Sequence, residues 1–354
     1  MIQSERTLFD AAIESARVFN GVAAECAASG GLLDALAQPR TAADAASLLR
    51  VHEAQTAPFA ALLDVLVDTG VAERTVARGG TAVYQARPRE VDARRALDGG
   101  LGRYAPRGDV LQPWFGDGHV ELIRAANREL LGEDLRFFRS PGCRIRFDRT
   151  FLDAWRTNLT NPLYEFGRMV AVRMMVERGR RFLDLASGLG YGAERLAQLS
   201  EPGCEIICVD RAPDLLAEAR RLIYPGATVR FVERDLNTGL PPLPAGWFDG
   251  VLFNGAFHFI QDKKARLAEI HRVLRPGGLL VIGHCFCASG FADEPMHALY
   301  FTLVENPFWL ITFEELRALV ADAGFDELRQ YHRGSHSYLV AERGAGPAAE
   351  APRP

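Results

Sequence analysis

Three aspartates, Asp184, Asp210 and Asp235, each close a short apolar run, and the first is followed by Gly188, Gly190 and Gly192. Acids at the ends of strands, with a backbone free of Cβ atoms between them, suit a nucleotide-sized ligand that must approach the main chain closely. Asp184 stands four residues before Gly188, where a carboxylate would repel a phosphate and favours a cationic or hydroxylated ligand. Gly188, Gly190 and Ala193 also satisfy a G-x-G-x-x-A dinucleotide fingerprint, so the loop alone leaves a dinucleotide open.

The elements that must position these groups follow from the apolar pattern. Arg181-Phe-Leu-Asp-Leu185 reads as a buried parallel strand, and Ala193 to Leu199 as a helix whose first N–H groups face the same spot. Cys204-Glu-Ile-Ile-Cys-Val-Asp210 and Val229-Arg-Phe-Val-Glu-Arg-Asp235 are two further strands ending in acids, the former placed where such folds grip a ribose. Trp247-Phe-Asp-Gly-Val-Leu-Phe-Asn254 is a fourth strand. In Ile270-His-Arg-Val-Leu-Arg-Pro-Gly-Gly-Leu-Leu-Val-Ile-Gly283, a helix stopped by Pro276 and Gly277 runs at once into a fifth.

These five motifs, in this order over residues 181 to 283, resemble the class I S-adenosylmethionine-dependent methyltransferases. The resemblance implies an α/β, doubly wound Rossmann-like sheet with S-adenosylmethionine as cofactor. It places Asp184, Gly188 and Gly190 at the methionine end of the donor, Asp210 on the ribose and Asp235 on the adenine, with Leu236 and Asn254 beside them. One residue departs from the family pattern, Ala186 standing where glycine is usual; an alanine fits there if its φ is negative.

Composition sets the bounds. At 354 residues the chain exceeds one typical domain, and 48% apolar with 24% charged residues is ordinary for a globular protein. A net charge of -4 speaks against general attraction to nucleic acid or membrane. The N-terminus lacks the apolar core of a signal peptide and no apolar run reaches membrane-spanning length, which leads us to expect a cytoplasmic protein. The six cysteines show no CxxC pairing and read as reduced thiols.

Ahead of the cofactor motifs, residues 10 to 37 give an apolar helical pattern, Thr41-Ala-Ala-Asp44 opens a capped helix, and a third helix runs from about Ala57 to Asp68. Two short strands follow around Gly79-Gly80. Three helices and a hairpin predict a winged helix, but between Glu53 and Gly70 there is no Lys or Arg to track phosphates. The order of elements is similar to the dimerisation domain of bacterial and plant small-molecule O-methyltransferases, which implies a homodimer. The expected organisation is a helical winged-helix domain over 1–100, connecting helices and an active-site lid over 101–175, the catalytic domain over 176–343 and a disordered tail over 344–354. Arginines from Arg87 to Arg107 and from Arg136 to Arg156, set among Phe137, Phe138, Phe147, Phe151 and Trp155, read as a solvated helical face or as a lid that grips an anionic acceptor.

On the acceptor side, Gly255-Ala-Phe-His-Phe-Ile-Gln-Asp262 matches the family's region for a general base, which makes His258 the catalytic candidate. Phe259 and Ile260 replace the Asp and Trp of that motif. Tyr164, His284 and His297 are expected to line the acceptor pocket. The leading expectation is methyl transfer to a small molecule, at a hydroxyl oxygen, in specialised metabolism. Two alternatives stand beside it: C-methylation of an α-keto acid, in which histidines such as His258 and His297 share a metal, and a regulatory protein that binds the cofactor without transferring a methyl.

Overall fold

The computed structural model describes residues 18–87, 119–141, 145–160, 162–287, 294–305, 308–333 and 336–344. Chain contacts divide the protein into two compact units, Met1–Phe166 with Phe291–Asn306, and Gly167–Gly290 with Pro307–Pro354. The boundary expected after residue 175 therefore falls earlier, inside the helix Pro162–Val176. Residues expected wholly in the catalytic domain also return to the first unit.

In the first unit a helix over residues 18–29 (α1) leads to α2 (Leu32–Ala35), β1 (Arg40–Thr41), α3 (Ala42–Leu48), α4 (Thr56–Asp68), β2 (Ala72–Val76) and β3 (Ala82–Ala86). The three strands form one small sheet in the order β1-β3-β2. Thr41 starts α3 with a reciprocal capping box to Asp44. In α4, Phe59, Leu62, Leu63 and Leu66 recur on one face and are buried. Helix α11 (Glu294–Leu303) packs on α4, burying Leu299, Phe301 and Leu303, and this packing is why the segment belongs to the first unit.

Between these parts lie α5 (His119–Leu131), α6 (Leu152–Leu159) and the start of α7 (Pro162–Val176). Several arginines of the expected lid are already engaged inside this unit. Arg146 pairs with Glu305 at 2.5 Å, Arg156 with Asp153 at 2.8 Å, and Arg139 donates to the Gly30 carbonyl at 3.4 Å. Arg89 to Arg107, Arg144 and residues 345–354 of the tail lie outside the described residues.

The second unit is built on a seven-stranded sheet. Its strands are β4 (Arg181–Leu185), β5 (Cys204–Asp210), β6 (Ala227–Glu233), β7 (Phe248–Asn254), β8 (Leu274–Cys285), β9 (Phe325–Arg333) and β10 (His336–Arg343), in the order β6-β5-β4-β7-β8-β10-β9. The first five run parallel, and β10 is antiparallel to both of its neighbours. Helices α8 (Tyr191–Leu199), α9 (Pro213–Ala219), α10 (Lys263–Val273) and α12 (Phe313–Asp322) connect them.

Strand alternation assigns side chains to two cores. Leu183, Leu185, Phe253 and Ile282 pack with Leu267, Ile270, Leu316 and Val320 on one face. Phe182, Leu252, Val281 and Val340 pack with Val172, Met175 and Leu196 on the other. The expected doubly wound α/β sheet is thus present, with apolar residues at both parities as a sheet covered on two sides requires. Among the described residues no helix is long and apolar enough to cross a membrane, and the five described cysteines are free thiols.

The amino ends of three strands are locked together by Asp249, which is 6% exposed. Its Oδ2 accepts from the Arg180 and Arg181 N–H groups at 2.8 and 2.9 Å, and its Oδ1 accepts from Arg275 Nε at 2.5 Å. Burial alone would raise its pKa, but the bonds from Arg275 and the two N–H groups outweigh it and hold the carboxyl below its ordinary 3.8. Asp249→Ala should cost roughly 3 kcal/mol, since it leaves buried donors unmatched. The check is a lower urea midpoint at unchanged slope. Because the folded pKa is depressed, this contribution is present above pH 3.8 and is lost as pH falls through the folded value, so the variant should show a shallower acid transition.

Candidate active site

Strand order reverses between β4 and β7, and the groups with chemistry collect at the carboxyl ends there, where such sheets bind ligands. Asp184 is the fourth residue of β4 and only 3% exposed. Burial pushes its carboxyl up to about 7, against the pull of the Arg168 charge and the Ala193 N–H. Its Oδ2 has no hydrogen-bond partner among the described residues.

The turn after β4 is tight. Ser187 N–H donates to the Val209 carbonyl at 3.1 Å and Gly190 N–H to the Ser187 carbonyl at 2.8 Å. Ala186 lies at φ 52, so the negative φ expected for an alanine there is not what the structure shows. The two hydrogen bonds impose the left-handed conformation, at about 1–2 kcal/mol for a residue with a Cβ. At Gly188 an added Cβ would meet nothing within 4 Å, so the loop is open toward the crevice. At Gly192 an added Cβ would fall 2.6 Å from Asp184 Oδ2, so glycine there lets the carboxylate lie against the backbone. Gly190, left-handed at φ 82, is the N-cap of α8.

Asp210 ends β5 and is 8% exposed. Its Oδ2 accepts from Gly188 N–H and its Oδ1 from Ala212 N–H, both at 2.8 Å. Burial raises its pKa and these N–H groups oppose the rise. Each oxygen keeps a lone pair for a hydroxyl. Asp235, two residues beyond β6, caps the turn Leu236–Thr238 by accepting from Asn237 N–H at 2.9 Å, and Leu236 is buried beneath it. Asn254 closes β7, and its buried Oδ1 likewise has no partner among the described residues.

Asp184 Oδ2 and Asn254 Oδ1 are buried acceptors awaiting donors. Uncompensated burial of such atoms is costly, so they fit a ligand that brings N–H or O–H groups, as the ammonium and hydroxyls of S-adenosylmethionine do.

His258 sits in the turn Phe257–Phe259 just after β7 and is 2% exposed. Its ring stacks on His284, with centroids 5.4 Å apart and planes at 15°. His284 lies within β8, fully buried, between the ring edges of Phe257 and Phe286. The position expected to line the acceptor pocket is therefore packed behind His258. Among the described residues neither ring nitrogen of His284 has a hydrogen-bond partner, and burial holds its pKa far below the ordinary histidine value. Tyr164, in the first turn of α7, and His297, in α11, belong to the first unit.

Two residues were not anticipated. Arg168 on α7 is 5% exposed, lies 5.4 Å over the Tyr191 ring and lowers the pKa of Asp184. An arginine in the middle of a mostly apolar helix was the available signal. Asn237 bridges the Asp235 turn to the His258 loop, donating to the Phe259 carbonyl and accepting from Gln261 N–H, each at 2.9 Å.

A doubly wound sheet with one reversed strand, and acids at the ends of its first three strands, defines a class I S-adenosylmethionine-dependent methyltransferase domain. Residues 183–282 match the family described as a methyltransferase domain, and the second unit is a domain of that kind. The chain is similar to a demethylmenaquinone methyltransferase of Thermus thermophilus, 40% identical over 134 residues, covering 36% of this chain and 60% of that protein. It is also similar to the ubiquinone/menaquinone biosynthesis C-methyltransferase UbiE of Pseudomonas putida, 28% identical over 194 residues, covering 49% of this chain and 75% of that one. The fold is shared over nearly the whole length with the DszA carbon methyltransferase, at a TM-score of 0.64 and 15% identity, covering 98% of this chain and 92% of that one. The CurJ carbon methyltransferase gives a TM-score of 0.62 at 15% identity, covering 92% and 91%.

Donor binding should depend on the charge of Asp184. Below its pKa of about 7 the carboxyl is neutral and cannot pair with an ammonium, so affinity for S-adenosylmethionine should fall as pH drops through that value. Calorimetry from pH 6 to pH 8.5 checks this. The charged form is disfavoured in the folded protein, so the unliganded Asp184→Asn variant should be more stable than wild type at pH 8 by roughly 2–4 kcal/mol while its donor binding is lost. Ala186→Gly should change stability by less than about 1 kcal/mol and preserve donor affinity, whereas Ala186→Val, branched at a positive φ, should lower the melting temperature and weaken binding.

Proposed function

We propose that the protein transfers a methyl group from S-adenosylmethionine to a carbon atom of a small acceptor made nucleophilic by loss of a proton, an enol or a phenol of the quinol type. The observation that carries the carbon reading is the similarity to a relative named as a C-methyltransferase over 75% of its length. The relative named for demethylmenaquinone supports an aromatic acceptor. Methylation at oxygen, expected from the resemblance to plant-type enzymes, has less support from these relatives.

The bound donor supplies an electrophilic methyl group on a sulfonium. In this reading Asp184 and Asn254 hold the methionine end against the open face at Gly188, Asp210 takes the ribose hydroxyls, and Asp235 with Leu236 takes the adenine. His258 removes the acceptor proton from the turn after β7, with the neutral ring of His284 stacked behind it. The acceptor therefore needs an acidic O–H or C–H beside the carbon that is methylated. The α-keto acids, which enolise, fall within the same class.

The helices and hairpin of the first unit are read as a winged-helix domain that pairs two copies of the chain. Light scattering should give twice the 39.0 kDa chain mass, and a monomer would contradict the pairing.

Donor labelled in its methyl group, incubated with a 1,4-naphthoquinol lacking a ring methyl or with an aryl pyruvate, should give a carbon-bound methyl by NMR. A product containing only methoxyl groups would overturn the carbon assignment. His258→Ala should lower kcat by about 10²–10⁴, the range for loss of a general base, with the donor Kd unchanged.

A further inference from the structure

Lys263 breaks three local rules at once. It is the first residue of α10, where the positive end of the helix disfavours a cation. It is 6% exposed, although an ammonium is costly to bury. Among the described residues it has no carboxylate partner. Asp262 beside it is occupied, its Oδ1 accepting from Ala265 N–H at 2.9 Å. Conflicts of this kind in an otherwise consistent domain mark positions held for function.

The ammonium has a specific set of contacts. Nζ donates to the Ile260 carbonyl and to the Trp309 carbonyl, both at 2.7 Å, and lies 5.5 Å from the centroid of the Phe257 ring. Trp309 in turn donates its N–H to the His258 carbonyl at 2.7 Å. One side chain thus ties the far end of the His258 loop to the segment preceding α12, and that segment returns a hydrogen bond to His258 itself. Asn237 secures the same loop at Phe259 and at Gln261 just beyond it.

We propose that Lys263 is a positioning residue for His258, its buried ammonium clamping the Phe257–Ile260 loop and the Trp309 backbone into the geometry in which the imidazole faces the acceptor. A charged donor suits the task, because bonds from an ammonium to carbonyl oxygens are about twice as strong as neutral ones. They also resist bending in a buried site that water does not reach. A merely structural clamp could be apolar at lower cost. The proposal rests on His258 acting as the base, and its test separates the two.

The experiment compares full-length wild type, Lys263→Met, Lys263→Arg, His258→Ala and the double variant His258→Ala/Lys263→Met, in single turnovers with labelled donor. Lys263→Met should lower kcat by about tenfold to a hundredfold, the scale of a small misplacement of a catalytic group, with the donor Kd and the acceptor KM each within about threefold of wild type. Lys263→Arg, which keeps a charged donor, should recover part of the loss. In the His258→Ala background the Lys263→Met change should have no further effect, because Lys263 acts through that imidazole. Losses that multiply in the double variant, or a Lys263→Met kcat within twofold of wild type, would overturn the proposal. Should Lys263→Met fail to fold, Lys263→Gln, with two neutral N–H donors, carries the same comparison. Wild-type turnover in His258→Ala would remove the base reading by itself, and the clamp's assigned role with it.

Discussion

A carboxylate placed where water cannot reach it is the constraint on which the catalytic unit depends. Asp184 is carried into the sheet by β4, between β5 and β7, with Leu183 and Leu185 fully buried on either side of it in sequence. In that setting its ionised form is penalised, and only a ligand that brings compensating charge relieves the penalty. The surrounding sequence can be read as accommodation to this. Gly192 lets the carboxylate approach the backbone, Arg168 supplies a distant positive charge, and the turn through Ala186 to Gly190 leaves one side open. In the proposed reading, the site rests on one carboxylate oxygen that no donor among the described residues satisfies.

The two ends of the parallel sheet obey opposite rules. At the amino ends, Asp249 accepts from Arg180, Arg181 and Arg275, and Arg181 also stacks over Trp247 at 4.4 Å. Polar groups there satisfy one another. At the carboxyl ends, Asp184 Oδ2 and Asn254 Oδ1 lack partners among the described residues, and Asp210 gives only part of its capacity to backbone N–H groups. The left-handed Ala186 and the unmatched acceptors lie at the open end instead.

Much of this was legible in the sequence because strand-end acids and glycine turns are local signals. Asp184, Asp210, Asp235 and Asn254 stand at or just beyond strand ends, and the capped start at Thr41 is a real capping box. What was not legible depends on contacts between distant segments. The sign of φ at Ala186 is set by the Val209 carbonyl on the next strand, and no propensity rule reports that. His284 looked like a pocket residue because it follows an apolar run, but β8 extends to Cys285 and carries the ring into the core. The return of α11 to the first unit depends on its packing against α4, more than two hundred residues earlier, which no local window contains.

The chemistry around His258 follows from what stands behind the ring. In sites where a carboxylate orients a base, the developing imidazolium is stabilised and the base is strengthened. Here the ring behind is another imidazole, without a hydrogen-bond partner among the described residues and kept neutral by burial and by the nearby charges of His258, Lys263 and His336. A neutral imidazole in that place offers no negative charge to stabilise an imidazolium. In the proposed reaction, a base oriented without a carboxylate is suited to an acceptor proton that is already fairly acidic, as in a phenol or an enol, and poorly suited to an ordinary alcohol. That preference arises from the packing of β8 against the His258 turn, and it agrees with acceptors whose carbon becomes nucleophilic once the neighbouring O–H is lost.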